Sequence, residues 1–273
     1  MNWSVWTEYF RGSELYLEEK AQKFREAGFD FAELSDEDGF ALLDKFGSSA
    51  AAGREIRRIR ESTGIAFRQG HLWLAIHLCD DEYEKKFELL KPWFDMYLEA
   101  GIHRGVLHTA TERGGFSWAQ GRERRLYALG QIRDYLRGTP LVICMENQSR
   151  SDHAESAGLL RTLADLNSPN FAVCLDTGHL NMEGEPQEDF IRACGKQLKA
   201  LHLADNQGKE DQHMMPFGRG TVDFLQVIRA CREVGYDGLY NYEIPGENAC
   251  PVEVRLMKLR YLRQVSDWLE ANA

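Results

Sequence analysis

One phrase recurs along this chain and limits what it can fold into: a helical stretch that stops at a glycine, an apolar residue, then a short strand-like run. Arg25-Glu26-Ala27-Gly28-Phe29-Asp30-Phe31-Ala32-Glu33 is the first instance. Leu98-Glu99-Ala100-Gly101-Ile102-His103, continuing to Leu107-His108, is another, and so is Arg232-Glu233-Val234-Gly235-Tyr236-Asp237, ending at Tyr242-Glu243. In each, the glycine stands where a helix C-terminus needs a left-handed residue before the chain turns back. Short strands separated by amphipathic helices build βαβ units and a parallel sheet. Apolar and β-branched runs predict eight strands, near 3–6, 29–34, 65–72, 103–108, 141–146, 171–176, 198–203 and 239–244. Helical patterns fall between them, including Ser13 to Ala27, Ala51 to Ser62, Tyr83 to Ala100 and Val222 to Val234. The near-even repeat, with no Gly-rich phosphate loop after the first strand, favours a closed barrel over an open doubly wound sheet. The expected fold is therefore α/β, a single (β/α)₈ TIM barrel as one domain over residues 1–273. Barrels of this kind run to about 250 residues as one domain.

Composition narrows the function classes. The formal net charge is -10, whereas a duplex-binding protein normally presents a basic face, so nucleic acid is a disfavoured partner. The N-terminal Met1-Asn2-Trp3-Ser4-Val5-Trp6 has neither a basic n-region nor an apolar h-region. No apolar run approaches the roughly 20 residues needed to cross a bilayer. The expectation is a cytoplasmic protein without a membrane partner. The cysteines Cys79, Cys144, Cys174, Cys194, Cys231 and Cys250 form no CxxC pair; Cys144 and Cys174 sit in apolar runs and read as small buried hydrophobes, reduced in a reducing compartment.

Chemistry emerges when the predicted strand ends are aligned. Strands three to eight finish near His71, His108, Glu146, Asp176, His202 and Glu243, spaced 26 to 41 residues apart. In this fold the carboxyl ends of the strands converge on one mouth, where active sites are built. A lone histidine or carboxylate at a strand end is usually satisfied structurally. A run of six is hard to explain as core filling, because unpaired buried carboxylates are costly, and together they read as a metal site.

The motifs Cys144-Met145-Glu146-Asn147-Gln148, Leu175-Asp176-Thr177-Gly178-His179, Leu201-His202-Leu203-Ala204-Asp205-Asn206 and Tyr242-Glu243-Ile244 resemble the xylose-isomerase-like, or AP endonuclease family 2, TIM-barrel superfamily. The resemblance runs from the first strand to the last and is specific for the superfamily, not for a substrate. It implies one divalent metal held by Glu146, Asp176, His202 and Glu243. This oxygen-rich set suits Mn²⁺ best, with Mg²⁺, Co²⁺ or Zn²⁺ as alternatives. It also implies that Glu146 and Glu243 exchange protons with opposite faces of a sugar, so both are candidate catalytic groups. His71, His108, His179, Asp211 and His213 then become candidate substrate-binding residues. The same positions match those by which a DNA-repair branch of the superfamily holds three zinc ions. Where sugar epimerases commonly carry an arginine after the strand-seven histidine, this chain has Gly208 and Lys209. Arg219 is the candidate anion binder, against a plain solvated loop residue.

Aromatic residues at or beyond strand ends, Trp6, Trp73, Phe116 and Trp118, could stack on a sugar ring, though Trp6 suits barrel packing equally well. Gly114-Gly115 could hinge a lid. The expected activity is a metal-dependent isomerase or epimerase of a sugar, sugar phosphate or related polyol, acting through an enediolate. The alternatives are a metal-dependent dehydratase or lyase on the same scaffold, a three-zinc AP endonuclease, and a non-enzymatic sugar-binding barrel. The intact ligand set counts against the last. Homo-oligomerisation is compatible with the sequence.

Overall fold

The glycines of the recurring phrase adopt the left-handed backbone that the turn from helix to strand requires. In a computed structural model, which describes residues 1–110, 117–246 and 249–273, φ is 92° at Gly28, 77° at Gly101 and 67° at Gly235. The strands they lead into belong to a set of eight: β1 (Trp3–Trp6), β2 (Phe31–Leu34), β3 (Ala66–His71), β4 (Arg104–His108), β5 (Val142–Glu146), β6 (Phe171–Asp176), β7 (Leu198–Leu203) and β8 (Tyr240–Tyr242). Each pairs in parallel with its sequence neighbours, and β1 pairs with β8, so the barrel closes in the order β1 to β8. The fold is the (β/α)₈ barrel that the sequence predicts.

Helices α1 (Leu17–Glu26), α2 (Asp36–Phe46), α3 (Ser49–Thr63), α4 (Tyr83–Ala100), α5 (Trp118–Leu136), α6 (Ser156–Leu166), α7 (Thr177–Asn181), α8 (Gln187–Cys194), α9 (Phe224–Glu233) and α10 (Val252–Asn272) complete the described secondary structure. The α4 boundaries coincide with the sequence reading. By contrast α1 starts four residues later than expected, after a 3-10 turn at Thr7–Phe10. Two helices, α2 and α3, fill the β2–β3 connection where one is expected; Ser35 and Ser48 cap them separately by accepting from the amides of Asp38 and Ala51. The apolar stripe of α9 buries Phe224, Val227, Ile228 and Cys231, at about 1.5–3 kcal/mol for each large aliphatic or aromatic side chain removed from water. No helix among the described residues is long and apolar enough to cross a membrane.

Two devices fix strand ends that matter below. Gly70 leaves room for Tyr97 of α4, because a Cβ there would lie 2.6 Å from the phenol oxygen. That hydroxyl donates to the carbonyl of His71 at 2.7 Å. Beside β4, the fully buried His153 bridges two threonines, with Nδ1 2.9 Å from Thr109 Oγ1 and Nε2 2.8 Å from Thr162 Oγ1. It thereby ties the residue after His108 to α6. Burial, aided by the charge of Arg125, holds this imidazole down to about 3.

That histidine generates an acid-lability prediction. Its pKa is depressed on folding, so its contribution is complete above the unfolded value of about 6.5 and is lost as pH falls below it. Chemical denaturation of the wild type should lose about 1.4 kcal/mol per pH unit below 6.5 from this residue. A His153→Gln protein, lacking the titrating ring, should show a shallower decline between pH 6.5 and 5. Equal slopes would show that His153 does not carry the effect.

Candidate metal centre

Side chains alternate across a strand, so the residues two apart on each strand share the barrel interior. That alternation brings the strand-end residues together at the carboxyl-terminal mouth. Glu146 on β5, Asp176 on β6, His202 on β7 and Glu243, one residue past β8, each offer a ligand atom within 4.8 Å of all the others, and all are buried. His202 Nδ1 lies 3.4 Å from Glu146 Oε1 and 3.2 Å from Glu243 Oε2. His71 Nε2 and His108 Nε2 approach Glu146 Oε2 at 3.4 and 3.2 Å.

Several of these converging atoms have no aligned hydrogen-bond partner among the described residues: both oxygens of Glu146, Asp176 Oδ2, His202 Nδ1 and His71 Nε2. Buried polar atoms are almost always paired, and a cluster of unpaired lone-pair atoms facing one another is what a cation site requires. The donor set, carboxylate oxygens with one imidazole, fits a hard divalent ion.

The remaining contacts of these residues act to aim them. Asn147 accepts the Asp176 amide through Oδ1 at 2.7 Å and donates through Nδ2 to the Asp176 carbonyl at 3.0 Å. Asp176 in turn caps α7, accepting from the His179 amide at 2.6 Å through Oδ1, which leaves Oδ2 free. His71 Nδ1 donates to the carbonyl of Leu72 at 2.6 Å, directing Nε2 inward. His179 and His213 donate through Nδ1 to the carbonyls of Asn147 (2.9 Å) and Glu243 (2.7 Å). Their Nε2 atoms both reach Asp211 Oδ2, at 3.2 and 3.0 Å. With the Nδ1 protons committed to carbonyls, the Nε2 atoms can bind Asp211 as imidazoliums or share a cation with it. His71, His108 and Glu146, and separately His179, Asp211 and His213, also satisfy the spacing of a metal site.

The electrostatics follow from burial and crowding. Burial opposes ionisation of Glu146, yet the charges of His202 and His108 hold its carboxyl well below the usual range. Glu243 is held at about 2, where burial is outweighed by His202. Burial pushes Asp176 up to about 7; His179 pulls it down while Glu146 and Glu243 push it further up. His71 rises to about 9 and His213 to about 10, because nearby carboxylates overcome the cost of burying their charge. His108 goes the other way, burial dominating.

A cavity of about 530 Å³ opens beside this cluster, lined by His108, His179 and Asp211 and walled by Ile76, Leu78 and Gln148. The other expected contacts are more scattered. Trp6 is buried at the end of β1 with its indole N–H unpaired among the described residues. Trp73 packs against Phe40, ring centroids 5.8 Å apart, and Trp118 is exposed at the start of α5. Arg219 is exposed in the loop after β7 and is not among the cavity-lining residues. Gly114, Gly115 and Phe116 lie outside the described residues. One buried residue absent from the sequence expectation joins the cluster: Glu33 of β2, whose Oε1 lies 3.0 Å from His202 Nε2.

Comparison with known proteins agrees with the architecture. The sequence model described as xylose isomerase-like TIM barrel matches residues 21–271. A ketose 3-epimerase of Arthrobacter globiformis is 26% identical over 250 residues, covering 88% of this chain and 80% of that protein. An uncharacterized protein of Methanocaldococcus jannaschii is 33% identical over 87 residues, a match spanning 29% of that protein. The crystal structure of a D-tagatose 3-epimerase-like protein superposes with a TM-score of 0.81 at 19% identity, covering 99% of this chain and 98% of the other.

The two-pronged bond of Asn147 gives a stability prediction. Asn147→Ala leaves the buried N–H of Asp176 unpaired, at a cost of about 1–3 kcal/mol, and takes one of the two partners from its carbonyl, which as the N-cap of α7 still accepts a helical bond. Urea denaturation should place the variant about 1–3 kcal/mol below wild type, whereas a loss under about 0.5 kcal/mol would mean that β6 does not need this clamp.

Proposed function

The chain belongs to the xylose isomerase-like TIM barrel family, and from that membership we propose that it is a single-domain, divalent-metal-dependent epimerase or isomerase of a sugar, sugar phosphate or related polyol. Ketoses are the first substrates to try, given the named relatives. The observation that carries the reading is the set of buried, unpaired atoms on Glu146, Asp176 and His202, gathered with Glu243 at the barrel mouth. Those four side chains would hold the metal, with Mn²⁺ the first choice and Mg²⁺, Co²⁺ or Zn²⁺ the alternatives.

When bound, a divalent cation polarises the substrate carbonyl and adjacent hydroxyl and so acidifies the neighbouring C–H. The protein's part is proton transfer and positioning. Glu146 and Glu243, both held ionised, serve as the pair of bases on opposite faces of the sugar. One carboxylate removes the proton from the carbon beside the carbonyl, and the C–H electron pair becomes the enediolate. The other glutamate, ionised at rest, takes up a proton from solvent and delivers it to the opposite face of the same carbon, which inverts it, and the first glutamate then gives the abstracted proton back to solvent; return of the abstracted proton to the adjacent carbon isomerises. His71, His108, His179, Asp211 and His213 would bind the hydroxyls, and the cavity beside them has room for a monosaccharide. Trp6, buried at the end of β1, would wall the sugar site, and Arg219 would supply an anion contact from the loop after β7.

Two further ligand clusters, His71–His108–Glu146 and His179–Asp211–His213, favour a second reading: a trinuclear centre cleaving a phosphodiester at abasic DNA. The net charge of -10 opposes it. Elemental analysis of freshly purified protein separates the two. The epimerase reading expects about one metal per chain and no nicking, with His213→Ala weakening substrate binding and leaving that stoichiometry intact; about three metals together with nicking would replace it.

Activity should vanish on treatment with a chelator and return with Mn²⁺ when ketoses, sugar phosphates and inositol derivatives are assayed in D₂O. Product should carry deuterium at the carbon beside the carbonyl. Glu146→Gln and Glu243→Gln should each lower turnover by about 10²–10⁴, the usual worth of general acid–base catalysis, with smaller effects on substrate binding. Full activity without metal, or an undiminished Glu243→Gln enzyme with no solvent exchange, would remove this mechanism.

A further inference from the structure

The barrel interior beneath the candidate metal centre is divided into two halves. On β4 to β7 the inward positions below the site are Val106, Cys144, Cys174 and Ala200, which pack as a small apolar cluster. On β8, β1, β2 and β3 the corresponding inward positions are Asn241, Ser4, Glu33 and Gln69, all buried. Barrel interiors are ordinarily filled by branched apolar side chains, and a carboxylate in this position is costly unless fully bonded. Glu33 is fully bonded. Its Oε1 lies 3.0 Å from His202 Nε2, its Oε2 accepts from Asn241 Nδ2, and Asn241 Oδ1 accepts from Ser4 Oγ at 2.9 Å. Ser4, Glu33, Asn241 and His202 are all 0% exposed.

Resting on the metal-site reading above, we propose that Glu33 is a positioning residue: through this four-strand chain it fixes a proton on Nε2 of His202 and presents Nδ1 to the site. Glu33 accepts from Asn241, which turns its NH₂ toward Oε2 and its oxygen toward Ser4, whose hydroxyl donates to it. The other oxygen of Glu33 is served by His202 only if Nε2 is protonated. Nδ1 is then the atom left between Glu146 and Glu243, where it has no hydrogen-bond partner among the described residues. A carboxylate behind a ligating histidine fixes its tautomer and ring orientation and raises its basicity. Losing such an outer partner typically weakens metal binding about 10–100-fold.

Glu33→Gln tests this with almost no change of shape. Glutamine leaves His202 only a neutral acceptor, and its NH₂ obliges Asn241 to turn its amide over, with the Ser4 hydroxyl accepting. The added change Asn241→Asp removes the need for that turn, with an acceptor for every donor. Calorimetric titration with Mn²⁺ should show E33Q, folded by its thermal transition, binding about 10–100-fold more weakly than wild type, and E33Q/N241D regaining at least about threefold of that loss. In protein labelled with ¹⁵N-histidine, the Nε2 proton of His202 should resonate far downfield in wild type, with and without Mg²⁺. It should be lost or shifted in E33Q and return, farther upfield, in the double variant. If E33Q does not fold, the comparison of wild type with the double variant carries the test. The proposal is overturned by a wild-type His202 bare at Nε2, by a resonance unmoved in the double variant, or by E33Q affinity within about threefold of wild type, below the usual outer-partner effect. A wild type that binds no Mn²⁺ yet shows the Nε2 proton responding to E33Q would refute the metal reading and uphold the tautomer lock.

Discussion

The structure turns on mutual repulsion among carboxylates forced into one buried space. Glu146, Asp176 and Glu243 meet inside a closed barrel, where water cannot screen them and low polarisability magnifies each charge. Imidazoles relieve part of the strain. His202 and His108 keep Glu146 ionised, but Asp176 is left with a raised pKa and an unpaired oxygen. A bound divalent cation would be the largest local charge at such a site and would bring the pKa of Asp176 back down. Such a cluster is expensive to keep as packing alone, since apolar residues of similar volume are often as stable as buried ionic groups.

What holds the charges in place is the strand ladder. His108 pairs in register with Glu146, and Asp176 with His202, so barrel closure sets the separation of functional groups drawn from four different strands. Around that ladder, several groups spend one atom on an aiming contact and turn another toward the site. Asp176 caps α7 with Oδ1, His71 anchors on the carbonyl of Leu72, and His179 anchors on that of Asn147. A site built on strands and fixed by outer contacts holds its geometry better than one built on loops. The loops contribute the cavity wall at Ile76 and Leu78 instead.

Much of this was legible in the linear sequence because it obeys local rules. The helix-to-strand glycines predict their own left-handed backbone, and the strand-end histidines and carboxylates recur at the interval of one βα unit. Other features depend on partners far away in the chain. Glu33 sits in Phe31-Ala32-Glu33-Leu34, a run in which a polar residue between apolar ones reads as a solvent-facing strand position. Its partners, His202 and Asn241, are 169 and 208 residues distant. The strand β8 ends at Tyr242, one residue before the Glu243 expected to close it, a shift that periodicity cannot resolve. Arg219, between two glycines, reads in the sequence either as an anion binder or as a solvated loop residue; the structure leaves it exposed and outside the cavity lining, a choice that no repeat in the sequence makes for a loop side chain. The distinction between core and surface for Trp6 and Trp118 likewise needed the tertiary packing.

The central claim, that the fold assembles one cation site from Glu146, Asp176, His202 and Glu243, is open to direct observation. Crystals grown with Mn²⁺, with diffraction recorded on both sides of the manganese absorption edge, locate the ion independently of any assay. The account predicts a dominant anomalous peak enclosed by those four side chains. No peak there, or a dominant peak elsewhere in the molecule, would contradict it.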